Sequence, residues 1–374
     1  MRAGVRVTES NGNGACLSCL RRSWLLSELS APLDYRCRDR GRFLSLLTLS
    51  DEDLVGAVGG RRREELQRAQ AQFEARNVPL ARGVEAVCRH DPSYPPALKD
   101  PGAPWMLNVA GGVERLHALA TAPTVAIVGS SRATDYGMEM AKSLARGLAA
   151  SGVTVATGLS DGIAVGALAG ALEVGGGTIT VMAGGLDVAC PVRRRPLYQR
   201  ASKAGCGLAE VPCGCAMRRW IQAARERILA RLAELTVVVE AREGSRELAG
   251  AETAQALGRA IAAVPGRVTS PASSGTHALL MSGARLVRGP ADALELLYGA
   301  DAQTPGAPAD ARTGLEPRLR DTLERVGAGR DTPDKLASDA EDAGATLLAL
   351  SELELLGLLT RGDGGRYVPR HGSA

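Results

Sequence analysis

Five short runs of almost wholly apolar residues constrain this chain most. They are Val125–Val128 before Gly129, Val153–Ala156 before Gly158, Thr178–Met182 before Gly184 and Gly185, Leu235–Glu240, and Ala260–Val264 before Pro265 and Gly266. A strand with one face in water alternates apolar and polar side chains, whereas a strand covered on both faces does not. Helical patterns separate the runs, Tyr136–Ala150 being the clearest. Such a series predicts a parallel sheet with helices on both faces, an α/β, doubly wound fold. The ligand site of that architecture lies past the carboxyl ends of its strands.

The flanks read differently. Residues 1–13 are polar and glycine-rich, as in a disordered N-terminus. Over 14–85 leucines recur at spacings of three and four, as in Leu25, Leu26 and Leu29, and Ser50 is a candidate helix cap, so a small helical domain is expected. Pro92, Pro95, Pro96, Pro101 and Pro104 suggest a non-helical linker. The core is expected over 86–300 and a flexible spacer over 301–312. Within 313–370, helical patterns at Pro317–Val326, Thr332–Ala340 and Ala345–Leu356 precede a glycine turn and Arg366–Val368, the outline of a winged-helix domain.

Composition removes several classes. A content of 45% hydrophobic and 23% charged residues excludes wholesale disorder. No run of eighteen apolar residues and no secretory leader pattern is found, which points to a cytoplasmic protein without a membrane span. The 8 cysteines are then expected as reduced thiols. Cys16-x-x-Cys19 has the spacing of metal ligands, with Cys37, Cys88 and His90 as companions, but free thiols are the simpler reading and no metal is expected. No cofactor is expected either: there is no Gly-x-Gly-x-x-Gly fingerprint and no Gly-Lys-Ser/Thr P-loop. The 4 histidines do not pair with a nucleophile, and Asp187, Glu210 and Glu240 read as loop-bonding carboxylates before general bases.

The basic residues are bunched. Arg193, Arg194, Arg195, Arg200 and Lys203 form one group, and Arg218, Arg219, Arg225, Arg227 and Arg231 another. Such grouping suits a polyanion, and it also suits a solvated arginine-rich surface. Aromatic residues make up only 3%, so binding led by phosphate contacts is expected rather than base stacking. Gly129–Thr134, between a strand and a helix, offers amides and hydroxyls to an anion at a helix N-terminus.

Taken in order, Val125–Gly137, Thr157–Leu172, Gly184–Pro191, Trp220–Leu232, Val237–Ala241, Ala263–Thr276 and Gly283–Leu297 resemble the DNA-processing protein A (Smf) family over roughly residues 90–300. The resemblance implies an extended Rossmann-like core, a SAM-like helical domain before it and a winged helix after it. It implies a homodimer that binds single-stranded DNA in natural transformation, helps load the RecA recombinase and is not an enzyme. The implied DNA contacts are Gly129, Ser130, Ser131, Arg132, Gly158, Gly184, Arg225 and Arg227, with Lys142 and Arg219 assisting. Ser131 stands where the family has an arginine, Ala164 where it has an aspartate, Leu168 where it has a histidine and Glu226 where it has an asparagine. Arg225 and Arg227 are expected at the first turn of a helix over Glu226–Leu232. The alternative is a Rossmann-like enzyme acting on a nucleoside monophosphate, but the Pro-Gly-Gly-x-Gly-Thr loop of such enzymes is approached only by Ala183-Gly184-Gly185-Leu186.

Overall fold

The computed structural model describes residues 14–38, 40–78, 80–187, 194–299, 315–327, 330–337, 340–356, 358–361 and 365–369. The expected disordered start and the 301–312 spacer lie outside these residues. The chain divides into two compact units, the first ending at Asp301.

The first unit opens with helices α1 (Leu17–Glu28), α2 (Ser30–Arg36), α3 (Arg40–Leu46), α4 (Asp51–Val58) and α5 (Arg63–Ala71). Ser50 caps α4, its Oγ accepting the Asp53 N–H at 3.1 Å. There follow β1 (Val84–Cys88), β2 (Met106–Ala110), α6 (Val113–Thr121), β3 (Thr124–Val128), α7 (Asp135–Ala150), β4 (Thr154–Gly158), α8 (Ile163–Glu173), β5 (Thr178–Val181), α9 (Arg195–Ala204) and β6 (Cys206–Ala209). The unit ends with α10 (Arg219–Leu232), β7 (Leu235–Val238), α11 (Ala249–Ala256), β8 (Ala260–Ala263), α12 (Ser274–Met281), β9 (Arg285–Leu286) and α13 (Pro290–Tyr298).

The nine strands form one sheet in the order β1-β2-β6-β5-β4-β3-β7-β8-β9. β1 and β6 each pair antiparallel with β2, and every other pairing is parallel. The five apolar runs are β3, β4, β5, β7 and β8. Their lack of alternation has a direct cause. Ala126, Val128, Ala156, Val181 and Val238 pack under α10 and α11 on one face. Val125, Ile127, Val155, Leu235 and Val237 pack under α7, α8 and α13 on the other. Burying both faces at roughly 1.5–3 kcal/mol per large aliphatic side chain holds the sheet at the centre.

Four strands are not legible as runs. β6 is Cys-Gly-Leu-Ala and β9 has two residues, so neither carries a strand-forming pattern. β1 and β2 flank the proline-rich stretch, which is not a linker. Tyr94, Leu98 and Ala103 are buried in the sheet's core, and the Tyr94 hydroxyl donates to Pro104 O at 2.6 Å. The N-terminal helices join the same unit through α10: Leu33, Phe43, Trp220, Ile221 and Ala224 share one apolar cluster. The Trp220 indole N–H donates to Ser30 Oγ at 2.9 Å.

The second unit holds helices Pro317–Gly327, Pro333–Leu336 and Ala340–Leu355 and an antiparallel pair, Leu359–Arg361 with Tyr367–Pro369. Leu319, Leu323, Leu336, Leu350, Leu353 and Tyr367 form its core.

Candidate functional site

The sheet's order reverses between β3 and β7, and crevices at such points bind ligands past the strand ends. A cavity of about 780 Å³ opens there, floored by Val128 of β3 and Gly129 after it, Thr157 and Gly158 of β4 and Ala183 after β5. One side is formed by Ser160 and Asp161 before α8, and the other by Arg219, Gln222, Arg225 and Glu226 of α10.

The β3 loop is pinned by its backbone. The Ser130 N–H donates to Glu240 O at 2.7 Å, and Ser130 O accepts the Ile163 N–H at 3.1 Å. Gly129 has φ +155°, and a Cβ there would lie 2.6 Å from the Glu240 carbonyl oxygen, so only glycine fits. Ser131 is left facing the cavity, while Ser130 Oγ is engaged by the Arg132 N–H at 3.1 Å. Arg132 itself is exposed and outside the cavity lining.

The α7 N-terminus does not wait for an external anion. The buried Glu240 carboxylate accepts the Thr134 hydroxyl at 2.5 Å and the Thr134 N–H at 2.9 Å, and so supplies the negative charge from within. The start of α10 is likewise occupied: Asp34 of α2 accepts the Trp220 N–H at 3.1 Å. The loop Gly129–Thr134, expected to offer amides and hydroxyls to an outside anion, thus has Thr134 engaged by an internal carboxylate, and the charged groups lining the cavity are side chains.

Five arginines reach its lining: Arg38, Arg194, Arg219, Arg225 and Arg246, against Asp34, Asp161, Glu226 and Glu247. Arg225 lies over Gly158, where a Cβ would stand 2.6 Å from Nη1; glycine lets the guanidinium approach the strand end. Its Nε and Nη2 donate to Glu226 Oε1 at 3.0 and 2.5 Å. Arg194 pairs with Asp161. Arg38, Arg219 and Arg246 are exposed and have no ion partner among the described residues. Arg38 also stacks 5.1 Å from the Tyr35 ring centroid.

The helix carrying Arg225 and Arg227 begins at Arg219, not at Glu226, so both arginines are mid-helix. Residues two apart on an α-helix point about 200° from each other. Arg225 accordingly lines the cavity, and Arg227 turns into the core, its Nη2 donating to the buried Glu210 at 2.5 Å. Lys142 is also elsewhere, paired with Glu173 across α7 and α8 at 2.6 Å. Gly184 is buried behind the lining, where a Cβ would lie 3.1 Å from Cys215 O. Of the ten residues expected to contact DNA, then, Gly129, Ser131, Gly158, Arg219 and Arg225 converge on the cavity, and Ser130, Arg132, Lys142, Gly184 and Arg227 do not line it.

Arg194 belongs to the first arginine bunch and is legible from it, whereas nothing in the pattern marks Arg38 or Arg246. Leu168 is a core contact with Leu172 and Ala201, so the position where the family has a histidine carries packing here. Asp187 accepts the Gly214 N–H at 2.8 Å, Glu210 holds Arg227 and Glu240 holds Thr134. All three carboxylates have internal duties.

A doubly wound sheet with an arginine-lined crevice at its strand ends defines a Rossmann-like protein. The pattern of the DNA recombination-mediator protein A family matches residues 85–298, and the chain belongs to that family. A Mycobacterium tuberculosis protein named for DNA processing (DprA) is 34% identical over 86% of this chain and 85% of its own. Protein Smf of Escherichia coli is 32% identical over 74% of each chain. The X-ray structure of DNA processing protein A from Streptococcus pneumoniae superposes with a TM-score of 0.60 at 26% identity, over 76% of this chain and 99% of that one. The Helicobacter pylori DNA processing protein A, described for its single-stranded DNA binding mode, gives 0.50 at 25%, over 57% and 95%.

Proposed function

We propose that this chain binds single-stranded DNA without catalysing a reaction, holding the phosphate backbone in the strand-end crevice. The observation that carries the reading is the convergence of Arg38, Arg194, Arg219, Arg225 and Arg246 on one cavity that also presents Ser131 and Ser160. Arginine forks match phosphate oxygens in pairs, and serine hydroxyls donate the remaining bonds. The only tryptophan on α10, Trp220, is buried, which supports backbone gripping over base stacking. The single-stranded DNA binding described for the Helicobacter pylori relative supports the same ligand class.

The rest of the reading leans on family membership. The protein acts in the cytoplasm in natural transformation and recombination, as a homodimer that passes its DNA to RecA. Residues 14–85 serve as a SAM-like helical domain, 86–300 as the DNA-binding core and 313–370 as a winged helix. Among the described residues, no helix is long and apolar enough to cross a membrane. The test is an electrophoretic shift with single- and double-stranded oligonucleotides over a salt series. Preference for single strands with affinity that falls steeply as salt rises supports the proposal. Binding that ignores salt, or none at low salt, contradicts it.

A further inference from the structure

Away from the crevice, the thiols of Cys16, Cys19 and Cys88 and the imidazole of His90 converge, with their ligand atoms all within 4.8 Å of one another. His90 Nδ1 lies 3.3 Å from Cys16 Sγ, 3.5 Å from Cys19 Sγ and 4.0 Å from Cys88 Sγ. A tetrahedral zinc ion, with Zn–S near 2.3 Å and Zn–N near 2.05 Å, sets sulfur and nitrogen ligands about 3.6 Å apart. The three distances bracket that value. We propose that these four residues form a structural zinc site that fastens the N-terminal helices to the sheet.

The fold explains how the ligands meet. Cys16 is the N-cap residue of α1 and Cys19 lies in its first turn, so the two thiols share one helix face. Cys88 ends β1, and His90 sits in the turn closed by the Asp91 N–H to Cys88 O at 2.8 Å. The Arg89 N–H donates to Trp105 O at 2.9 Å and fixes that turn to the segment before β2. Cys19 and Cys88 are buried among Ala15, Leu20, Ala86 and Met106, whereas His90 is exposed at the rim. The pocket is thus apolar below and open above, with an entry path for the ion.

The donor set chooses the metal. Three soft thiolates and one imidazole in a closed tetrahedron suit zinc, and four protein ligands leave no open position for catalysis. On binding, the three thiols release their protons to solvent and the imidazole coordinates through the neutral Nδ1, so charge and protons balance. The sequence carries the signal as two pairs, Cys16-x-x-Cys19 and Cys88-x-His90, and the mistaken companion is Cys37, which lines the crevice instead. The site lies on the junction of the helical segment and β1, so the metal's binding energy adds to the stability of that junction.

The full chain, prepared in zinc-supplemented medium without a metal-binding tag, is passed through gel filtration and its zinc measured by elemental analysis. The proposal expects one equivalent per chain, released when a mercurial blocks the thiols. Cobalt exchanged into the protein should give thiolate charge-transfer absorption and the strong visible bands of a tetrahedral centre. Cys16→Ser and the exposed His90→Ala should elute without zinc, while Cys215→Ser should keep it. Far-UV circular dichroism and elution volume confirm that each variant is folded, and His90→Ala serves if Cys16→Ser is not. Zinc far below one equivalent with no cobalt–thiolate bands overturns the proposal. So does a disulfide among Cys16, Cys19 and Cys88 in protein purified without air, or full zinc retention by the His90 variant.

Discussion

Arg227 donates from Nη2 to Glu210 Oε1 at 2.5 Å, with the two side chains 3% and 5% exposed. Two residues earlier, Arg225 faces the strand-end crevice, so two arginines of one helix divide between the crevice and the core. Removing one member of a buried ion pair strands the other charge, at a cost of roughly 3–5 kcal/mol. Arg227→Met should therefore lower the urea midpoint by that equivalent while leaving the DNA affinity of the folded fraction unchanged. Adding Glu210→Leu should recover part of the loss, because both buried charges are then gone.

The Glu226 carboxylate holds Arg225 at 2.5 Å on the cavity wall. If the proposed DNA site is right, this carboxylate competes with phosphate for the guanidinium and repels the strand. Glu226→Gln should tighten single-strand binding several-fold at low salt and steepen the salt dependence, as read by fluorescence anisotropy. An unchanged titration would mean that Arg225 does not touch DNA.

Glu240 takes both the hydroxyl and the amide of Thr134. Glu240→Ala leaves these donors without their acceptor at the N-terminus of α7. The expected loss is about 1–3 kcal/mol of stability, measured by denaturant unfolding. The same loop carries Ser131, so the variant should also bind DNA more weakly than its stability alone would suggest.

Residues 311–374 contain 9 basic and 11 acidic groups, a poor match for a polyanion. Deleting residues 302–374, which form a compact unit of their own, should leave single-strand affinity within about twofold of the full chain at fixed salt. A loss of tenfold or more would place a DNA contact in that unit.

The central sheet is plain in the sequence because strands buried on both faces lose their alternation, as β3 and β7 do. β6 and β9 are hidden there, since their pairing comes from their neighbours rather than from their own side chains. The crevice is half legible. Glycines at strand ends mark Gly129 and Gly158, and the arginine groups mark Arg219 and Arg225. The helix of Arg225 and Arg227 starts at Arg219, well before the expected Glu226, so there is no irregular first turn to aim both outward, and helical geometry sets Arg227 about 200° from Arg225, toward the core. Arg38 and Arg246 come from elements distant in sequence, and only tertiary packing brings them to the site.

In the proposed function, crevice arginines hold the backbone of single-stranded DNA. The direct test is the Arg219→Ala, Arg225→Ala double variant, titrated against a single-stranded oligonucleotide by anisotropy across a salt series. Each phosphate contact on a single strand contributes a slope of about −0.7 in log K against log salt. The variant should bind more weakly at low salt and show a slope shallower by about 1.4, read on the folded fraction because Glu226 loses its partner. A folded double variant with the parent's affinity and slope would show that these arginines do not hold the DNA.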